Sequence, residues 1–184
     1  MSDGRVWPFL CNDDQQSDMK DLTHANPQKV RAALELAQKK GDATWIMPLL
    51  AAFASREEDA LREEMRQMLS SLKLSAAEAL FLESLKDREL AHVHADILGF
   101  LWSCGFTCEN HLALIAEVAC QGDFRQAMEG CTLIEQVESV QNEKDLLEAQ
   151  VIVSQVLQDG DKKSVWPFAE SMSAHLIMLS DTMA

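Results

Sequence analysis

From residue 27 onward, apolar side chains recur at spacings of three and four, and single polar or glycine breaks interrupt the rhythm. That periodicity predicts a succession of amphipathic helices joined by short turns. The first carries Val30, Ala33, Leu34 and Ala37 and stops at Gly41. Asp42 then caps a second helix with Ile46, Leu49, Leu50 and Phe53 on one face. A third follows with Leu61, Met65, Met68, Leu69 and Leu72, its first turn holding Glu57, Glu58 and Asp59, where the helix dipole favours acids. Ser75 with Glu78 has the spacing of a capping box and opens a helix bearing Ala77, Phe81 and Leu85, and Asp87 caps a longer one bearing Leu90, Ile97, Leu98 and Leu101. Thr107 or Cys108 precedes a helix with Leu112, Ile115 and Ala119. Gly122 and Asp123 turn into another with Phe124, Ala127, Met128, Cys131 and Ile134. A last pair is predicted over about 142–158 and 164–180.

The predicted leading helices begin near 42, 75, 109 and 143, steps of 33, 34 and 34 residues. A near-constant step of this size is the mark of a helical repeat array. Residues 1–26 have no such rhythm and are expected to be an irregular leader, followed by a single repeat domain over 27–184.

Within the first pair, the run GDATWIMPLLAAF followed by SREEDALREEMRQMLSSL, with Pro48 six residues into the leading helix, resembles a HEAT repeat. The resemblance implies an all-α fold: a right-handed α-solenoid of about four antiparallel helix pairs, with one preceding helix over 27–40. A tetratricopeptide array has the same period, but its tryptophan, glycine and tyrosine signature is missing. A hairpin of this kind is too thin to bury its own apolar face, so neighbours stack and function resides on the remaining surface. The resemblance thus implies a non-catalytic scaffold or adaptor that binds protein partners. Some HEAT-like proteins are enzymes. The di-iron hydroxylases of that build use His-Glu dipeptides, and this chain has none; the HEAT-like DNA glycosylases have a cationic concave face, and this chain is acidic.

Composition supports helix: good helix formers dominate and tyrosine is absent. Thirty acidic against sixteen basic residues give a net charge of −14, which repels a polyanion, so neither nucleic acid nor an anionic membrane is expected as a partner. The start MSDGRVWPFL has neither the charge nor the apolar run of a signal peptide, and no segment is apolar enough to span a bilayer. Five cysteines at irregular spacing fit free thiols, so a cytoplasmic protein is expected.

Candidate chemistry is sparse. Cys104, Cys108 and His111, with His92 and His94 one helix upstream, have zinc-binding side chains, but their spacing matches no two-plus-two knuckle. The competing reading is a pair of half-buried thiols around a helix-ending Gly105, so no metal and no cofactor are expected. A small-ligand, metal or enzymatic variant of the same solenoid, with a pocket near His92, His94 and the turn over 104–111, is the alternative function. His94 and His175 fall on apolar stripes and read as core histidines bonded to backbone. No Gly-x-Ser-x-Gly elbow and no phosphate loop occur, so no catalytic residue is nominated. The acids Glu57, Glu58, Asp59, Glu63 and Glu64 read as a solvated face, or as a patch for a basic partner or divalent cation. Met65, Met68, Met128 and Met172 read as core fillers rather than an adaptable groove. The tetrapeptide at 6–9, Val-Trp-Pro-Phe, recurs at 165–168, where Pro167 is predicted in the first turn of the last helix.

Overall fold

The computed structural model describes residues 13–57 and 59–183. Among these every regular element is helical, with ten α-helices and no strand. The chain divides into two compact units, Met1–Leu69 and Ser70–Ala184. The division falls in the turn after the fourth helix rather than at residue 27.

The first unit contains α1 (Asp13–Lys20), a 3-10 turn over Asp21–Thr23, α2 (Pro27–Lys40), α3 (Ile46–Ser55) and α4 (Ala60–Leu69). The stretch expected to be irregular thus contains a helix and a turn, both packed on α2 and α3. Leu22 in that turn has no exposed surface. Its isolated position in a polar run left no periodicity to detect.

Local chemistry fixes the ends of α2. Asn26 Oδ1 accepts from Gln28 N–H at 2.9 Å, Pro27 occupies the first position, and Gly41 closes the helix at φ 60° with its N–H on the Ala37 carbonyl. Asp42 caps as expected, but what it caps is a 3-10 turn over Ala43–Trp45, after which the α-helix starts afresh at Ile46. Pro48 therefore lies in the first turn of α3, where its missing N–H is not needed, rather than kinking a helix interior. Ile46, Leu49, Leu50 and Phe53 are buried as predicted, as are Leu61, Met65 and Leu69 of α4. Met68 is half-buried and Leu72 lies beyond the helix end. Asp59 sits outside the first turn: its carboxylate accepts from Arg62 N–H at 2.7 Å as the cap of α4.

The second unit contains α5 (Ser75–Ser84), a 3-10 stretch over Arg88–Val93, α6 (His94–Cys104), α7 (Leu112–Gln121), α8 (Phe124–Glu135), α9 (Glu143–Gln158) and α10 (Trp166–Met183). The helix predicted from Asp87 accordingly begins as 3-10 and becomes α only at His94. The capping box does not form either: Ser75 is already helical, and Glu78 turns away to accept from Cys108 N–H at 3.1 Å.

Packing in this unit follows two rows. α6, α8 and α10 pack side by side in one, α7 and α9 in the other, while α7–α8 and α9–α10 are closely packed neighbours in sequence. Phe81 and Phe100 join α5 to α6 with ring centres 5.8 Å apart. At Gly130 the backbone of α8 comes so close to α7 that an added Cβ would lie 2.4 Å from that of Ala119. Only glycine permits that approach.

Helix ends here are satisfied across pairs. Asp145 at the start of α9 accepts from Leu112 N–H (2.7 Å) and Ala113 N–H (3.3 Å), capping α7. Lys162 Nζ donates to the last carbonyl of α7, Gln121 O, at 3.1 Å, and Lys73 Nζ donates to Cys104 O at the end of α6 at 3.3 Å. Acids at helix starts and lysines at helix ends both complement the dipole. Among the described residues no helix is long and apolar enough to cross a membrane.

Candidate functional site

The sequence-nominated thiols come out as core residues. Cys104 ends α6 and Cys108 follows in the turn at φ 53°, both buried, and burial pushes both thiols up, so they stay protonated. His111 is exposed at the N-terminus of α7, its own N–H on the Cys108 carbonyl. Among the described residues no three His, Cys, Asp or Glu side chains converge as metal ligands.

His94 is 9% exposed, with Nε2 3.3 Å from Asp87 O. Burial pulls its pKa below the usual histidine value, against the opposing pull of the Asp87 and Ser84 backbone bonds, so the ring is neutral near pH 7. His92 is exposed and leans on Glu89 O at 3.1 Å. His175 is half-buried with Nε2 2.9 Å from Val137 O. The alternative pocket is split between two places. His94 lines a cleft of about 560 Å³ with Lys86, Arg88 and Glu117, whereas Thr107 and His111 line a separate one of about 270 Å³ with Ser75 and Glu78.

Much of the acidic run of the first unit is paired internally, while Glu57 is exposed ahead of α4. Beside the capping Asp59, Glu63 accepts from Arg66 at 2.8 Å and Glu64 from Arg31 at 3.2 Å; Glu58 lies outside the described residues. The hydrogen bond from Arg66 holds the Glu63 carboxyl below its ordinary range. Arg62 and Arg66 stack on Phe53, 4.4 Å and 5.3 Å from its ring centre. Met65 and Met172 are core residues, but Met128 is 39% exposed. The second Val-Trp-Pro-Phe run is structural: Val165 is buried, Trp166 Nε1 donates to the Val156 and Asp159 carbonyls that end α9, and Pro167 is the second residue of α10. The first copy, with Trp7 and Phe9, lies outside the described residues.

Sequence reading missed a surface strip on α6 and α8. Asp96, 4% exposed, holds the Arg125 guanidinium at 2.5 Å, and Arg125 also lies 4.0 Å from Glu129. Glu129 accepts from Trp102 Nε1 at 2.7 Å. Beside this network Phe124 is 59% exposed and Trp102 36%. Phe124 is held edge-on against Phe168 of α10 at 4.9 Å. The sequence signal pointed the other way: Phe124 and Met128 keep the spacing of the Ala127, Cys131 and Ile134 stripe and so read as part of its buried face. The acid and tryptophan on α6 that organise the strip are 29 and 27 residues from their partners, which no local pattern encodes.

No protein-family model, curated protein or solved structure matches the chain.

Proposed function

We propose that the chain is a non-catalytic interaction scaffold whose second unit is a short HEAT-like, right-handed solenoid, and that α6 and α8 carry its protein-binding face. The observation that carries this reading is the strip of Trp102, Phe124, Arg125 and Met128. Tryptophan, aromatic, arginine and methionine side chains are the types enriched at the centres of protein interfaces. Here the Asp96 and Glu129 contacts already hold Arg125 and Trp102 in place, so little side-chain entropy is lost on binding. The repeat reading is supported by the two rows, α6–α8–α10 and α7–α9, which is how paired helices stack in such arrays.

The partner is a protein. The net charge of −14 disfavours nucleic acid and anionic lipid. The buried free thiols Cys104, Cys108, Cys120 and Cys131 suit the reducing cytoplasm.

The test is affinity capture from native extract, comparing wild type with a Phe124→Glu/Met128→Glu variant. Both side chains are exposed, so the fold should survive. The proposal expects a saturable partner retained by wild type and lost by the variant. Identical captures from both would contradict it.

A further inference from the structure

We infer that Met128 is an oxidation site: peroxide converts its thioether to the sulfoxide, and that change switches off the α6–α8 face. The inference rests on the reading of that face as the protein-binding surface and adds what regulates it.

The described residues offer peroxide few accessible sulfurs. Cys104, Cys108, Cys120 and Cys131 are all buried, and Cys11 lies outside the described residues. Burial raises the pKa of these four thiols, so they stay protonated, whereas it is the thiolate that attacks an oxidant. A thioether has no proton to lose, so solvent access decides which methionine reacts. Met65 and Met172 have no exposed surface, and Met19, Met47 and Met68 are half-buried. Among the described side chains, Met128 and Met178 are the exposed methionines, at 39% and 49%.

Of the two, Met128 stands on the proposed face. It follows Phe124 by one turn of α8, a spacing that sets the two side chains beside each other. The Arg125 guanidinium and the Trp102 indole N–H are committed to Asp96 and Glu129. What a partner covers here is therefore the apolar remainder, Phe124, Met128 and the exposed ring of Trp102. Oxidation places a strong hydrogen-bond acceptor in that remainder. A partner shaped to a thioether supplies no donor for it, so binding strips the new oxygen of water without a replacement bond.

The step balances with hydrogen peroxide as oxidant. A lone pair of Met128 Sδ attacks one peroxide oxygen, and the S–O bond forms as the O–O bond breaks. The sulfur is oxidised and the peroxide reduced, and the proton on the transferred oxygen passes to the departing hydroxide, which leaves as water. Methionine sulfoxide reductases reverse the change, with a dithiol supplying the electrons.

Peptide mass spectrometry of the full chain during peroxide treatment tests the site. Met128 and Met178 should gain one oxygen well before Met65 and Met172, with the thermal transition unchanged. Calorimetric titration against the captured partner tests the switch. The oxidised chain should bind about tenfold more weakly, and reductase treatment should restore the affinity. Met178→Leu should bind as wild type does and stay sensitive to peroxide. Met128→Leu, whatever its own affinity, should lose that sensitivity. Met128 reacting no faster than Met172 overturns the inference. So does an oxidised chain that binds as tightly as the untreated one, or sensitivity that survives in Met128→Leu. If wild type and Phe124→Glu/Met128→Glu capture the same proteins, the functional reading fails instead, and the oxidation map still decides the site.

Discussion

The two units solve the same problem, the unsatisfied ends of helices, in different ways. In the first, capping is local: Asn26, Asp42 and Asp59 each bind an N–H two or three residues ahead, and Gly41 closes the helix it follows. In the second, Asp87, Asp123 and Asn142 also cap locally, but further ends are satisfied from a neighbouring pair, as by Asp145 on α7, Lys162 on α7, Lys73 on α6 and Glu78 on the turn before α7. Local caps make each helix independent of its neighbours. Cross-pair caps make each pair depend on the next, so the second unit should unfold as one cooperative body while the helices of the first can fray singly.

The largest expected effect comes from Gly130→Val. Its Cβ would collide with Ala119, forcing α7 from α8 and costing about 3 kcal/mol. Denaturant unfolding would measure it, and an added Ala119→Gly should recover part of the loss through coupling of the two sites. Next is Asp145→Ala, which strips two N–H groups of their acceptor and should cost about 2 kcal/mol. Hydrogen exchange should then rise throughout the second unit. Asn26→Ala in the first unit should cost about 1 kcal/mol and raise exchange in α2 alone. If both variants affect only their own helix, the comparison between units fails.

Acid provides a smaller effect with a definite sign. The folded-state pKa of His94 lies below its unfolded value, so between the two the unfolded chain binds the extra proton. Stability is therefore full above the ordinary histidine range and declines as pH falls through it toward 5. His94→Gln should flatten that part of the stability profile, with unfolding followed at pH 7, 6 and 5. Smallest of all is Arg31→Ala. It breaks the exposed pair with Glu64 and should change stability by about 0.5 kcal/mol or less.

Helix was legible wherever burial follows a 3.6-residue period. The stripes of α2, α3 and α7 emerge nearly residue for residue, and Asp42 and Asp87 cap as expected, although each opens a 3-10 turn rather than an α-helix. What failed did so for identifiable reasons. Glu78 satisfies the capping-box spacing yet serves Cys108, because a carboxylate four bonds long can reach either its own helix or the next turn. Leu22 is a core residue with no periodic neighbours. Phe124 and Met128 share the spacing of the buried stripe of α8 yet lie at its exposed edge, which the spacing does not reveal. Trp102, Arg125 and Glu129 become a group only when α6 lies against α8, so the candidate site was the least legible part.

Once a partner is captured, calorimetric titration against purified chain tests the binding face most directly. Trp102→Ala should raise the dissociation constant at least about tenfold, because a central tryptophan anchor is lost, while Leu147→Glu on α9 should leave it unchanged. An unchanged constant for Trp102→Ala, or a loss of binding caused only by Leu147→Glu, would contradict the assignment of that face to α6 and α8.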